Sequence, residues 1–227
     1  MKKLAVSIFV FAFSLWAADF WTKPYTDWTD KDLQKMSENS PWAKEYNVAT
    51  ETGGAPENGS SRGKGGGGGS GANGPQISGV DVTGSAVNLV IRWQSALPVK
   101  EAFVRRKYGA EAAISPDAKK ILEADEPAYV IVVSGLNRRL LSGTDPETVK
   151  KTMLDQTSLV IKGREPIKPE DFRLNGQGRV DAVFAFPKTN PITADDKEVE
   201  FQSKLGTLIV RQKFRLKDMT YNGKLEL

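Results

Sequence analysis

The order of apolar and polar positions divides the chain into four stretches. Residues 4–18 form an almost unbroken apolar run behind Lys2 and Lys3. Residues 19–50 set large aromatics, Phe20, Trp21, Tyr25, Trp28 and Trp42, among charged and turn-forming residues. Residues 51–77 are dominated by Gly, Ser and polar side chains, with an unbroken glycine run from Gly65 to Gly69. From 78 to 227 apolar residues return at strand and helix spacings, which marks the folded domain.

Inside that domain Val87, Leu89, Ile91 and Trp93 alternate as a strand does. Residues 98–108 predict a helix closed by Gly109. Ser115-Pro116 opens a second helix through Leu122, and Asp145-Pro146 a third through Leu154. A buried strand is expected at 129–133. Further strands are expected at 158–162, 171–174, 180–186, 198–202 and 207–217. Helices in the first half and a meander in the second predict an α+β fold with a largely antiparallel sheet. In the aromatic arm, Thr29 can cap a helix with Asp30 and Asp32 in its first turn and Leu33 and Met36 on one face. Asn39-Ser40-Pro41 stops it, and Ser40 and Pro41 are expected to open a second short helix carrying Trp42.

The first 18 residues read as a secretory signal peptide: a positive start, an apolar core too short to span a bilayer, and Ala17 and Ala18 for cleavage near Ala18. The chain is therefore expected to act in the periplasm or outside the cell, with no transmembrane segment in its mature form; retention of the leader as an N-terminal anchor is the alternative. Without the two leader lysines, 30 basic residues stand against 28 acidic ones, so bulk attraction to nucleic acid is not indicated. Residues 51–77 read as a flexible linker, with an end-to-end distance on the order of 30 Å. They lack the strand, the helix and the Lys-Ser/Thr ending of a phosphate loop.

Two absences narrow the chemistry. With no cysteine there is no disulfide, no thiolate nucleophile and no lipidated anchor. With no histidine there is no imidazole base, no Ser-His-Asp triad and no His-ligated zinc. No catalytic, cofactor or metal site is expected. An enzyme built from this chain would have to use carboxylates, Lys, Tyr or Ser.

Two candidate binding surfaces remain. Trp21, Tyr25, Trp28 and Trp42 could anchor a partner, an envelope protein, or could fold back onto the chain's own domain, because two isolated short helices are not stable in water. In the strand at 207–217, Arg211, Lys213, Arg215 and Lys217 share one face, a row of cations about 20 Å long that could meet an anionic ligand. A turn centred on Leu205-Gly206 would set Glu200 across from Arg211, Glu198 from Lys213 and Asp196 from Arg215, largely neutralising the row. Arg105, Arg106 and Lys107 close a helix, where cations complement the dipole. Arg138 and Arg139 flank a strand end, and Glu123, Asp125 and Glu126 cluster without facing one another across a cleft.

The pattern Trp21-x-x-x-Tyr25-x-x-Trp28, then Lys31 and Met36, then Ser40-Pro41-Trp42-Ala43-Lys44 resembles the start of a group of uncharacterised exported bacterial proteins, chiefly from acidobacteria. The block Trp93-Gln94-Ser95-Ala96-Leu97-Pro98-Val99 and the ending Phe214-x-Leu216-Lys217-Asp218-Met219 are similar to parts of the same group. The resemblance implies that the arm belongs to the design and carries no activity with it. The leading expectation is an exported, non-catalytic interaction module. The alternatives are a carboxylate-based enzyme acting on envelope glycan, and an assembly protein that self-associates through its arm.

Overall fold

The computed structural model describes residues 19–48, 87–141 and 145–227. The expected leader and linker lie outside them. The α+β architecture is as expected, with four α-helices and ten strands among the described residues. A five-stranded antiparallel sheet runs in the order β1 (Ala43–Val48), β2 (Val87–Trp93), β3 (Ala128–Asn137), β6 (Arg179–Pro187), β5 (Asp171–Asn175). A smaller antiparallel sheet holds β4 (Thr157–Val160), β7 (Glu198–Leu205) and β8 (Leu208–Arg215). A short hairpin, β9 (Thr220–Tyr221) with β10 (Lys224–Leu225), follows near the C-terminus.

Alternation decides how the two sheets meet. Leu89, Ile91 and Trp93 of β2, Ile131 and Val133 of β3, and Phe184 and Phe186 of β6 are fully buried. They face Phe201 of β7 and Phe214 of β8. The Phe184 and Phe201 rings lie 5.7 Å apart, and Trp93 meets Phe214 edge-on at 6.0 Å. In β3 a bulge between Val133 and Leu136 keeps Leu136 on the inner face, where an unbroken strand would have turned it outward. Gly135 makes the bulge possible: its φ is +89°, and a Cβ there would stand 2.6 Å from the Asn88 carbonyl oxygen. Thr157 and Ser203, both buried, satisfy each other's hydroxyls at 2.7 Å. The indole N–H of Trp93 is buried without a partner, a cost the core tolerates.

Helix termini follow the expected signals. α2 (Leu97–Tyr108) ends at Gly109, and Ser115 accepts the Ala118 N–H to open α3 (Pro116–Glu123). Asp145 accepts the Thr148 N–H to open α4 (Pro146–Asp155), which packs against β4, β5 and β7 and buries Met153. Among the described residues no helix is long and apolar enough to cross a membrane.

The arm is part of this fold. Thr29 and Asp32 form a reciprocal capping box at the start of α1 (Asp30–Glu38), and Leu33 and Met36 are buried as expected. Hydrogen bonds from Lys23 and Thr29 outweigh burial at Asp32 and hold its carboxyl down at about 2. The second expected helix is absent. The Ser40 hydroxyl donates to the Met36 carbonyl and accepts the Trp42 N–H, closing α1 instead of opening a helix. The chain then extends as β1, and the Trp42 carbonyl takes the Trp93 N–H at 2.8 Å. A sheet edge waiting for a partner overrides a weak local helix signal.

Trp42 is wholly buried and Trp28 nearly so. Trp42 stacks edge-on against Trp21 at 5.7 Å and Tyr221 at 6.2 Å, and its indole N–H donates to the Glu226 carbonyl at 2.8 Å. Burying a ring of this size is worth about 5 kcal/mol as an upper bound. Trp42→Ala is expected to lower unfolding stability by about 3–5 kcal/mol, read by urea denaturation of the full chain. Thr29→Ala, which removes only the cap, should cost about 1 kcal/mol in the same assay.

Candidate functional site

With two tryptophans committed to the core, the exposed chemistry lies elsewhere. Trp28 and Trp42 cannot serve as surface anchors in this fold. Trp21 and Tyr25 are half-buried against the same core, and the Tyr25 hydroxyl reaches the Ala112 carbonyl at 3.4 Å. The arm thus packs on its own domain, one of the two expected alternatives, with Trp28 and Trp42 inside the core and Trp21 and Tyr25 partly open to solvent.

Three of the four cations of the row, Arg211, Lys213 and Arg215, share the outer face of β8, in a different register from that expected. The β7–β8 turn is Gly206-Thr207, with Gly206 at φ +64°, so Leu205 pairs with Leu208. Every cross-strand pair moves by two residues from the expected arrangement, which leaves each side chain on its expected face. Glu198 now opposes Arg215, Glu200 opposes Lys213, and Arg211 faces Gln202 instead of a glutamate. Lys213 bonds Glu198 at 3.0 Å and lies 4.0 Å from Glu200, and Glu198 raises its pKa. Arg215 bonds Asp218 at 2.8 Å. Lys217 lies beyond the strand in a 3-10 turn, and Asp196 lies before it in another. Arg211 is exposed and makes no ion pair among the described residues.

The outer face of the small sheet is thus a polar grid. One row reads Ser158, Gln202, Arg211, and the next reads Val160, Glu200, Lys213. Lys204 continues the face along β7, and Ile209, 63% exposed, continues it along β8. Gln202 donates its amide to Glu200 at 2.9 Å, and Ser158 lies across from it on β4.

At one end the face opens into a cleft of about 670 Å³, lined among others by Lys162, Asp195, Lys197, Glu198, Glu200 and Lys213. Its wall is a loop pinned from below. Arg164 bonds Asp196 at 2.6 Å and takes the Asn190 and Pro191 carbonyls at 2.7 and 3.1 Å. Burial would raise the Asp196 pKa, but the Thr193 amide and Arg164 outweigh it and hold the carboxyl ionised, below its ordinary range. Lys197 completes the turn at φ +63°, an uncommon conformation for a side-chain-bearing residue, held where its carbonyl takes the Leu216 N–H at 2.8 Å.

Of the cleft acids, Asp196, Glu198 and Glu200 lie beside cations, whereas Asp195 makes no ion pair among the described residues. The carboxyl pushed upward is elsewhere: Glu101 of α2, 8% exposed, which rises to about 7. Burial is the main cause, the Tyr221 hydroxyl bonded to it pulls the other way, and the nearby Glu226 charge adds to the rise. Lys100 reaches the Ala124 carbonyl at 3.1 Å and Glu126 at 3.6 Å. Arg106 reaches the Ser37 hydroxyl at 3.4 Å, and Lys107 stands 5.0 Å over the Tyr108 ring. Arg138 and Arg139 lie in a 3-10 turn after β3.

No pattern in the sequence announces Glu101 with Tyr221, 120 residues apart, or the Arg164 pin. Both are products of tertiary packing. Comparisons with protein-family models, with curated proteins and with solved structures find no match to the chain.

Arg164→Ala removes three bonds from the cleft wall and leaves Asp196 without its cation. The expected loss is about 2–3 kcal/mol, with faster hydrogen exchange across residues 192–197. Because the Asp196 pKa is lowered on folding, this contribution is present near neutrality and is lost as pH falls through its folded value. The difference between wild type and variant should therefore shrink in acid.

Proposed function

We propose that this chain is an exported, non-catalytic binding module of the periplasm or cell exterior. Its working surface is the outer face of the small sheet, and the ligand that fits it best is an extended acidic glycan. The single observation that carries the reading is Arg211, an exposed guanidinium without an ion-pair partner among the described residues, flanked by Gln202, Ser158 and Lys204. A guanidinium takes a sugar carboxylate bidentately, and hydroxyl and amide side chains suit the ring hydroxyls beside it. Export rests on the leader read from residues 1–18.

The non-catalytic part is supported by the pairing of three of the four cleft acids. Glycoside hydrolysis needs a carboxyl held protonated beside a second one. Asp196 is kept ionised by Arg164 and Thr193, Glu198 and Glu200 share Lys213, and the raised Glu101 is buried within the fold. Against self-association through the arm, two of its three tryptophans, Trp28 and Trp42, are inside the chain's own core.

Titration calorimetry with oligogalacturonate against neutral dextran tests the proposal. Binding is expected for the acidic oligomer alone, weakening with added salt, and Arg211→Gln should reduce affinity about tenfold. Equal binding of dextran, no binding of the acidic oligomer, an unaffected variant, or cleavage of the oligomer would contradict it.

A further inference from the structure

Glu101 joins three parts of the chain that are far apart in sequence. From α2 it bonds the Tyr221 hydroxyl of β9. Tyr221 stacks edge-on against Trp42, whose indole N–H holds the Glu226 carbonyl. Trp42 packs in turn on Trp21, which meets Phe20 edge-on at 5.0 Å. The front of the arm, α2 and the C-terminal hairpin thus converge on one carboxyl that is almost sealed from water.

The charges around that carboxyl do not favour ionising it. Glu226 approaches from the C-terminal segment and raises its pKa. Tyr25, from the arm, is close enough that the Glu101 charge raises the tyrosine's own pKa, behind burial as the larger cause. Tyr221 is raised as well, by burial first and then by Glu101. On the same helix Arg105 stands one turn on, yet it makes no ion pair with Glu101, and its Nε is buried without a partner. An ionised Glu101 has one donor, Tyr221, and no bonded cation among the described residues.

We propose that the proton on Glu101 works as a clasp: while it is held, the C-terminal hairpin and the front of the arm stay closed on α2, and its loss lets them open. A buried carboxylate without a cation regains hydration most directly by local opening, and a hairpin of two-residue strands with few partners opens at little cost. The hairpin also borders the segment that leads to the proposed binding surface. Leu225, Glu226 and Leu227 line a hollow of about 370 Å³ with Ile192, Thr193 and Ala194, the residues that lead into the cleft wall. Opening would withdraw that support, so the cleft wall should loosen with the hairpin. This last consequence alone rests on the binding surface proposed above.

The sign follows from the proton count. Glu101 holds its proton more tightly closed, near 7, than in an ordinary carboxyl near 4.5, so the closed form is favoured in acid and loses ground as pH rises between those values. The closed-to-open ratio should fall on the order of a hundredfold across that window.

Hydrogen exchange of the full chain, corrected for intrinsic rates, reads the clasp directly at the Trp28 and Glu226 amides, which bond the Tyr25 and Met219 carbonyls. Protection there should drop from about pH 5 to about pH 8 while amides of β3 and β6 hold. Glu101→Gln, which keeps the shape and cannot ionise, should abolish the drop. Tyr221→Phe, which removes the bond that favours the ionised form, should move the midpoint to higher pH. A pH-independent wild type, a drop that persists in Glu101→Gln, or a midpoint unmoved or lowered in Tyr221→Phe would overturn the proposal. Glycan affinity plays no part in this readout, so the clasp and the binding surface stand or fall separately.

Discussion

Everything distinctive in this fold depends on where Trp42 goes. Its indole is buried between Trp21 and Tyr221, and its N–H satisfies a carbonyl 184 residues away. That contact draws residues 43–48 along the edge of the large sheet, where they cover one side of β2. Had Trp42 stayed in solvent, β2 would be an open edge and the arm a pair of unstable short segments. Burial of Trp28, Leu33, Met36 and Trp42, the capping box of α1 and the β1–β2 ladder together offset the entropy of ordering the arm, and so it becomes part of the core.

The main domain was legible because its signals are local and redundant. The run Val87, Leu89, Ile91, Trp93 can only be a strand with one buried face, and Ser115-Pro116 and Asp145-Pro146 are N-cap pairs whose geometry the structure reproduces. The arm was half legible: the Thr29–Asp32 box is a local motif, whereas residues 43–48 alternate too weakly to read as a strand until β2 supplies the partner. The β7–β8 turn failed in an instructive way. Gly206 was located correctly, but its position within the turn differs, and the shift of two residues changed which charges meet without moving any side chain to the other face.

That shift is what changes the functional picture. In the expected register Arg211, Lys213 and Arg215 of β8 each face an acid across the hairpin. In the structure Lys213 and Arg215 are paired and Arg211 is not. Function at this surface rests on a small imbalance of charge set by a hairpin turn. Neither the Arg164 pin nor the enclosed Glu101 could be read from residue order, because each needs partners brought together by packing of the two sheets and the arm.

The central claim is that the arm is a structural element of the domain, and native-state hydrogen exchange of β1 in the full chain tests it most directly. At about pH 5, where Glu101 holds its proton, the β1 amides that point toward β2 should exchange only as fast as the amides of β2 itself. Exchange of those amides near the rates of an open chain, with β2 and β3 still protected, would show the arm leaving a domain that folds without it, and would contradict the account.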